Sequence, residues 1–275
     1  MPSIAHPRCS ATSTRPAGPR TGYSHPLCYA RGLGDCSHQI SREHYTTRNI
    51  LIAMGGSAEV SGLRWLKGET RRLPADAIVA KILCDRHNSA LSPLDAEAGR
   101  LFETLREFDA AFADTAVPTS SSLAVLNGSD IERWLLKCLI GAAHSGGLET
   151  SSLRELDRCV AVLFGEADWP STWGLSLFPH RDSEHSYNGI AFMTMLGSDG
   201  RIWGLVASIA GIPLLLSVGI GTNDRLRFHP GGIVFSHAKR DAEKVLALAW
   251  PTDPTSGFLS FTRSVPYGGE PFSPF

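Results

Sequence analysis

Cys28, then Cys36-Ser-His38-Gln-Ile-Ser-Arg-Glu43-His44 and, after a Gly- and Arg-rich insert, Leu83-Cys84-Asp-Arg-His87-Asn88, form the stretch whose reading decides the fold. Two sulfur ligands, a long gap and a Cys-x2-His pair make a four-ligand zinc site from Cys28, Cys36, Cys84 and His87. Thiolate and imidazole suit a tetrahedral, redox-inert ion. Gly32 and Gly34 permit the tight turn that a metal-binding loop needs. His38, two residues after Cys36, is an alternative to Cys28 as the fourth ligand. The competing reading treats these cysteines as small buried hydrophobes. Four Cys/His positions beside a Gly-containing turn and a helix start favour the metal. Such a metal would draw Glu43, His44 and Asn88 together across the insert.

Working outward, Tyr45 to Met54 places Ile50, Leu51 and Met54 at helical spacing, and the segment from Glu59 to Leu73 reads as an irregular hairpin or loop. Pro74 to Ile82 reads as a brief helix. Ser92-Pro93 opens a long helix with the apolar stripe Leu94, Ala98, Leu101, Phe102, Leu105, Phe108 and Phe112, closed by Pro118. Asp95 then falls in its first turn, where a carboxylate suits the helix dipole. A Ser-rich link leads through Asn127-Gly-Ser-Asp130 to a second helix with Ile131, Leu135, Cys138, Leu139 and Ala142 inward, and a third runs from Ser152 to Phe164.

Beyond Trp169-Pro170 the pattern changes to short β runs at 173–178, 189–196, 202–209, 213–220 and 226–235, with Gly197-Ser-Asp-Gly200 as a hairpin turn. This half reads as an antiparallel meander, and the tail after Pro251 as loop. The expected fold class is α+β: a zinc-braced unit and long helices over 23–165, a β-rich region over 166–275, and a disordered arm over 1–22 that is rich in Ser, Thr, Pro and Arg.

Composition bounds the function. Hydrophobic residues at 43% and charged residues at 19% suit a globular chain, and no apolar run approaches the roughly 20 residues of a membrane helix. Twenty-six basic and 27 acidic residues leave no general attraction for phosphate backbones, so any nucleic-acid contact is local. A mild basic excess lies between Arg42 and Arg86. Six cysteines without a signal peptide, one of them in a Cys-x2-His pair, point to a reducing, cytoplasmic setting. Cys138 and Cys159 read as core residues and Cys9 as a spare thiol.

The Cys28, Cys36, Glu43-His44 and Leu83-Cys84-x2-His87-Asn88 pattern with its following helix resembles the HNH endonuclease family, whose ββα-metal fold is often braced by zinc. The resemblance covers about a quarter of the chain. It implies a metal-dependent phosphodiesterase acting on nucleic acid, most readily DNA. His44 would be the general base, and Glu43 and Asn88 would hold a catalytic Mg2+ or another divalent ion. Asn88 stands where the family commonly has His, and Cys-x7-Cys replaces a shorter spacing. Those departures favour the alternative, a non-catalytic zinc module that binds nucleic acid or protein. A second polar cluster, His180, Arg181, Asp182, Glu184 and His185, reads as a solvated loop.

Overall fold

A computed structural model describes residues 8–44, 46–61, 64–113, 120–145, 153, 155–177, 189–219, 228–237, 240–252, 254 and 256–263. The polar cluster at 180–185 lies outside them. The fold is α+β.

The organising stretch forms two antiparallel strands and a helix. Strand β1 (Glu43–His44) pairs with β4 (Val79–Ala80), Glu43 opposite Ala80 and His44 opposite Val79. The pairing continues past both strands. Ile40 bridges Cys84, and the Ser41 amide donates to the Leu83 carbonyl at 2.8 Å. Between β1 and β4 lie helix α1 (Arg48–Ala53) and a hairpin of β2 (Ser57–Val60) with β3 (Arg71–Pro74). The brief helix expected from Pro74 to Ile82 is one 3-10 turn, Ala75–Ala77, followed by β4. Pairing with β1 overrides local preference there.

Helix α2 (Asp85–Ala113) begins well before Ser92-Pro93, so Pro93 is internal. A proline there removes one backbone hydrogen bond, a cost of about 3 kcal/mol in an isolated helix. Full burial of Leu91, Leu94 and Ala98 offsets it. Asp95 is accordingly in the third turn, away from the helix end, and the dipole does not explain it.

Strand β5 (Ser122–Asn127) occupies the stretch read as a Ser-rich link. Helix α3 (Gly128–His144) follows, and the Asn127 side chain accepts from the Asp130 amide at its start. Every residue from Gly128 to Gly141 except Arg133 is buried. Helix α4 (Leu156–Leu163) is shorter than expected.

Two four-stranded sheets follow. The first has the order β6 (Gly174–Leu177), β9 (Ile212–Ser217), β8 (Ile202–Ile209), β7 (Ile190–Leu196), all antiparallel neighbours; β7, β8 and β9 form the expected meander, whereas β6 joins beside β9 rather than β7. Gly200, with φ +73°, closes the β7–β8 turn. The second has the order β12 (Ser256–Arg263), β10 (Pro230–His237), β11 (Arg240–Ala249), β5. It is mixed: β10 and β11 are antiparallel, whereas β12 runs parallel to β10 and β5 parallel to β11. Part of the tail after Pro251 is therefore strand.

Position 165/166 does not divide two cores. β5, from the helical half, completes the second sheet, and α3 packs against β8, β9 and β11. Leu101, Ile131, Leu175, Leu214, Ile233 and Leu248 belong to one continuous apolar cluster. Trp250 lies on the start of α3 so closely that a Cβ on Gly128 would come within 2.5 Å of its ring.

Residues 8–22 are not a disordered arm. They lack helix and strand, but polar side chains fix them. Thr12 donates its amide and hydroxyl to Asp130 at 2.8 and 2.5 Å. Buried Thr14 donates to the Leu163 carbonyl at 2.6 Å, and Arg20 pairs with Glu166. A Ser/Thr/Arg-rich composition marks disorder only where such partners are absent. Deleting residues 1–22 strands the buried Asp130 carboxylate and the Leu163 carbonyl, at roughly 1–3 kcal/mol each. The expected result is a melting temperature lower by at least about 5 °C. An unchanged melting curve would contradict this packing.

Candidate metal centre and the adjoining ion triad

Cys28 and Cys36 come from the loop before β1, and Cys84 and His87 from the start of α2. Their ligand atoms all lie within 4.8 Å of one another, and all four residues are buried. His87 Nδ1 is 3.6, 3.8 and 3.2 Å from the sulfurs of Cys28, Cys36 and Cys84. Tetrahedral zinc, with bonds of about 2.3 Å to sulfur and 2.0 Å to nitrogen, sets such separations near 3.5 Å. The donors fit. The four residues could hold a metal ion, and the set suits structural zinc. His38 is exposed, its ring tilted against that of Tyr23 with centroids 4.3 Å apart, so Cys28 completes the set.

Local backbone geometry explains the approach. Cys28 and Cys36 flank a 3-10 turn, Arg31–Leu33, which Gly34 ends at φ +64°. The Tyr29 amide donates to the Ile82 carbonyl at 2.9 Å, and the Asp85 amide to the Gln39 carbonyl at 3.0 Å. Two backbone bonds thus hold the loop to the segment that carries Cys84.

Protons must leave these groups for metal to bind. Burial pushes the Cys28 and Cys36 thiols up. Burial also acts on Cys84, but the amides of His87 and Ser37 outweigh it and lower that thiol. Burial lowers His87 to about 4, so the imidazole is neutral and ready to ligate. Phe164 packs edge-on against its ring at 4.8 Å.

An ion pair braces the loop from outside. Arg86 donates to both oxygens of Asp35, at 3.0 and 3.1 Å, and to carbonyls of Ala17 and Pro19. Burial would raise Asp35, but Arg86 and the Thr21 amide hold its carboxyl below the usual range.

Beyond the cluster, β1 delivers Glu43 to a buried triad. Lys137 of α3 lies 2.6 Å from Glu43 Oε1 and 2.7 Å from both oxygens of Asp95 on α2. The Thr47 hydroxyl donates to Asp95 and in turn accepts from Trp134 Nε1 at 3.2 Å. Burial raises Glu43 against the pull of Lys137. For Lys137 burial acts downward, but the two carboxylates prevail and raise it.

The residues read as catalytic are placed unequally. Glu43 is buried within the triad. His44 is half-buried, its pKa lowered by burial and by Arg48, and its Nε2 is sealed from solvent without a hydrogen-bond partner among the described residues. Asn88 stands in the first turn of α2, its amide bonded to the Cys84 carbonyl. Asp95, two turns further along, is the α2 residue that pairs with the cation beside Glu43. A divalent ion at Glu43 does not fit this arrangement, because an ammonium already holds the carboxylates.

Lys137 was missed in the sequence because it lies off the apolar stripe of its helix, on the face where a lysine reads as an exposed residue. Complete burial of both flanks is visible only in the fold. Cys138 and Cys159 are core residues as expected, their thiols pushed up by burial, Cys159 to about 12. Cys9 is half-buried, beside the Asn127 amide.

Comparison of the chain with protein-family models, with curated proteins and with solved structures returned no match. Among the described residues no helix is long and apolar enough to cross a membrane.

Replacing Lys137 with Met leaves Glu43 and Asp95 buried without their cation. The expected loss is about 3–5 kcal/mol in chemical denaturation, the usual cost of breaking a buried pair from one side. The triple variant with Glu43→Gln and Asp95→Asn should recover most of it. Wild-type stability in Lys137→Met would show that the triad is not closed.

Proposed function

We propose that the chain is a zinc-braced module of HNH type that holds nucleic acid without cutting it. What supports the type is the order of parts: Glu43-His44 on a first strand, an antiparallel second strand, then Cys84-x2-His87-Asn88 opening a long helix. A Cys3His set beside this unit supplies the brace. When bound, zinc would crosslink the 28–36 loop to α2.

The observation that carries the non-catalytic reading is Lys137. A phosphodiesterase of this type needs a divalent cation beside the carboxylate that precedes the base. Here an ammonium lies between Glu43 and Asp95 and is nearly closed off from solvent. A neutral His44 whose Nε2 has no hydrogen-bond partner among the described residues favours the second reading, a DNA endonuclease with His44 as base and Mg2+ as cofactor. That reading requires Lys137 to withdraw and His44 Nε2 to open to solvent.

The two readings part in one assay. Labelled single- and double-stranded DNA is incubated with the zinc-loaded chain in Mg2+ and in Mn2+, alongside His44→Ala. Salt-dependent binding with intact DNA in every lane is the expected outcome. Cleavage by the parent that His44→Ala abolishes would establish the endonuclease and overturn the non-catalytic reading.

A further inference from the structure

The insert between β1 and β4 has a use that the zinc unit does not explain. Residues 42–81 carry seven basic side chains, Arg42, Arg48, Arg64, Lys67, Arg71, Arg72 and Lys81, all exposed. Against them stand Glu59, Glu69 and Asp76 at the surface, since Glu43 is buried. The chain as a whole is net -1, so this excess is local. Arg71 pairs with Glu69 and Arg48 with Asp76, but these exposed pairs leave the cations open to an anion. Arg64, Lys67 and Lys81 have no ion pair among the described residues.

At the far end of the β2–β3 hairpin, Trp65 is 45% exposed between Arg64 and Lys67. An exposed tryptophan costs apolar burial, and this one is held outward. Its neighbour Leu66, in the same 3-10 turn Arg64–Leu66, is 1% exposed, so the two side chains leave the turn in opposite environments. Lys67 then takes a left-handed conformation, φ +53°, before Gly68 at +84°. For a lysine that conformation is strained. The hairpin does not hang free: Leu51, Ala58, Ala75 and Ile78 form a small core of their own beneath it. This support presents an exposed aromatic face flanked by two cations that have no ion pair among the described residues.

We infer that this hairpin loop is a binding site for single-stranded nucleic acid, with a base stacked on Trp65 and the adjoining phosphates on Arg64 and Lys67. Phosphate supplies the complementary charge and an unpaired base supplies the second ring face. A duplex, whose bases already stack on one another, offers only the first of these. This inference rests on the nucleic-acid reading above and names the surface and strand form.

The test is fluorescence anisotropy of a labelled oligo-dT and of a duplex of equal length, with the full zinc-loaded chain, Trp65→Ala, Trp65→Phe and the double variant Arg64→Ala, Lys67→Ala. Oligo-dT should bind more tightly than duplex. Trp65→Ala should weaken oligo-dT binding about 10-fold, and Trp65→Phe should restore most of it. The double variant should flatten the dependence of log K on log salt by about 1.4. Circular dichroism of the exposed-site variants should match the parent. Undiminished oligo-dT binding by Trp65→Ala would remove this surface while leaving the nucleic-acid reading intact. Preference for duplex would remove the single-strand assignment, and binding to neither would overturn both.

Discussion

Four buried ligands at the start of α2 are the constraint on which the rest depends. Three thiols and an imidazole lie within 4.8 Å of one another, buried, with the cysteines not joined in a disulfide among the described residues. With zinc, the same contacts become a crosslink between the 28–36 loop and the helix, and metal-binding free energy becomes folding free energy. Such a crosslink would reinforce the backbone pairing of 40–44 with 79–84, which brings Glu43 of β1 to Lys137 of α3.

The triad continues the same line of force. A buried lysine between two carboxylates is worth little against a well-packed apolar replacement, but it is highly directional. It ties β1, α2 and α3 at one point, and the Trp134–Thr47–Asp95 chain extends the tie to α1.

Much of the metal cluster was legible, because Cys and His have few uses in combination and their positions flank a glycine turn and a helix start. What stayed open, Cys28 or His38, depended on which side chain the loop turns inward. Lys137 and Asp95 were not legible as partners because the contact joins residues far apart in sequence. In the second half, Ile202–Ile209 and Ile212–Ser217 announced themselves by β-branched and leucine runs. β5 and β11 did not: Ser122-Leu-Ala-Val-Leu-Asn127 and Ala242-Glu-Lys-Val-Leu-Ala-Leu-Ala249 carry serine, alanine and lysine, which local preference assigns elsewhere. They become strands because they pair with each other, and β11 with β10 as well. The N-terminal segment was misread for a related reason: its threonines find buried or half-buried acceptors, and its arginines exposed ones, that only the tertiary fold provides.

The most direct measurement is X-ray absorption at the zinc edge of the purified chain and of Cys84→Ser, with metal content determined on the same samples. About one zinc per chain is expected, with three sulfurs near 2.3 Å and one nitrogen near 2.0 Å, and loss of that shell in the variant. A first shell of oxygen and nitrogen, or a parent protein that folds fully without metal, would contradict the zinc brace and everything hung from it.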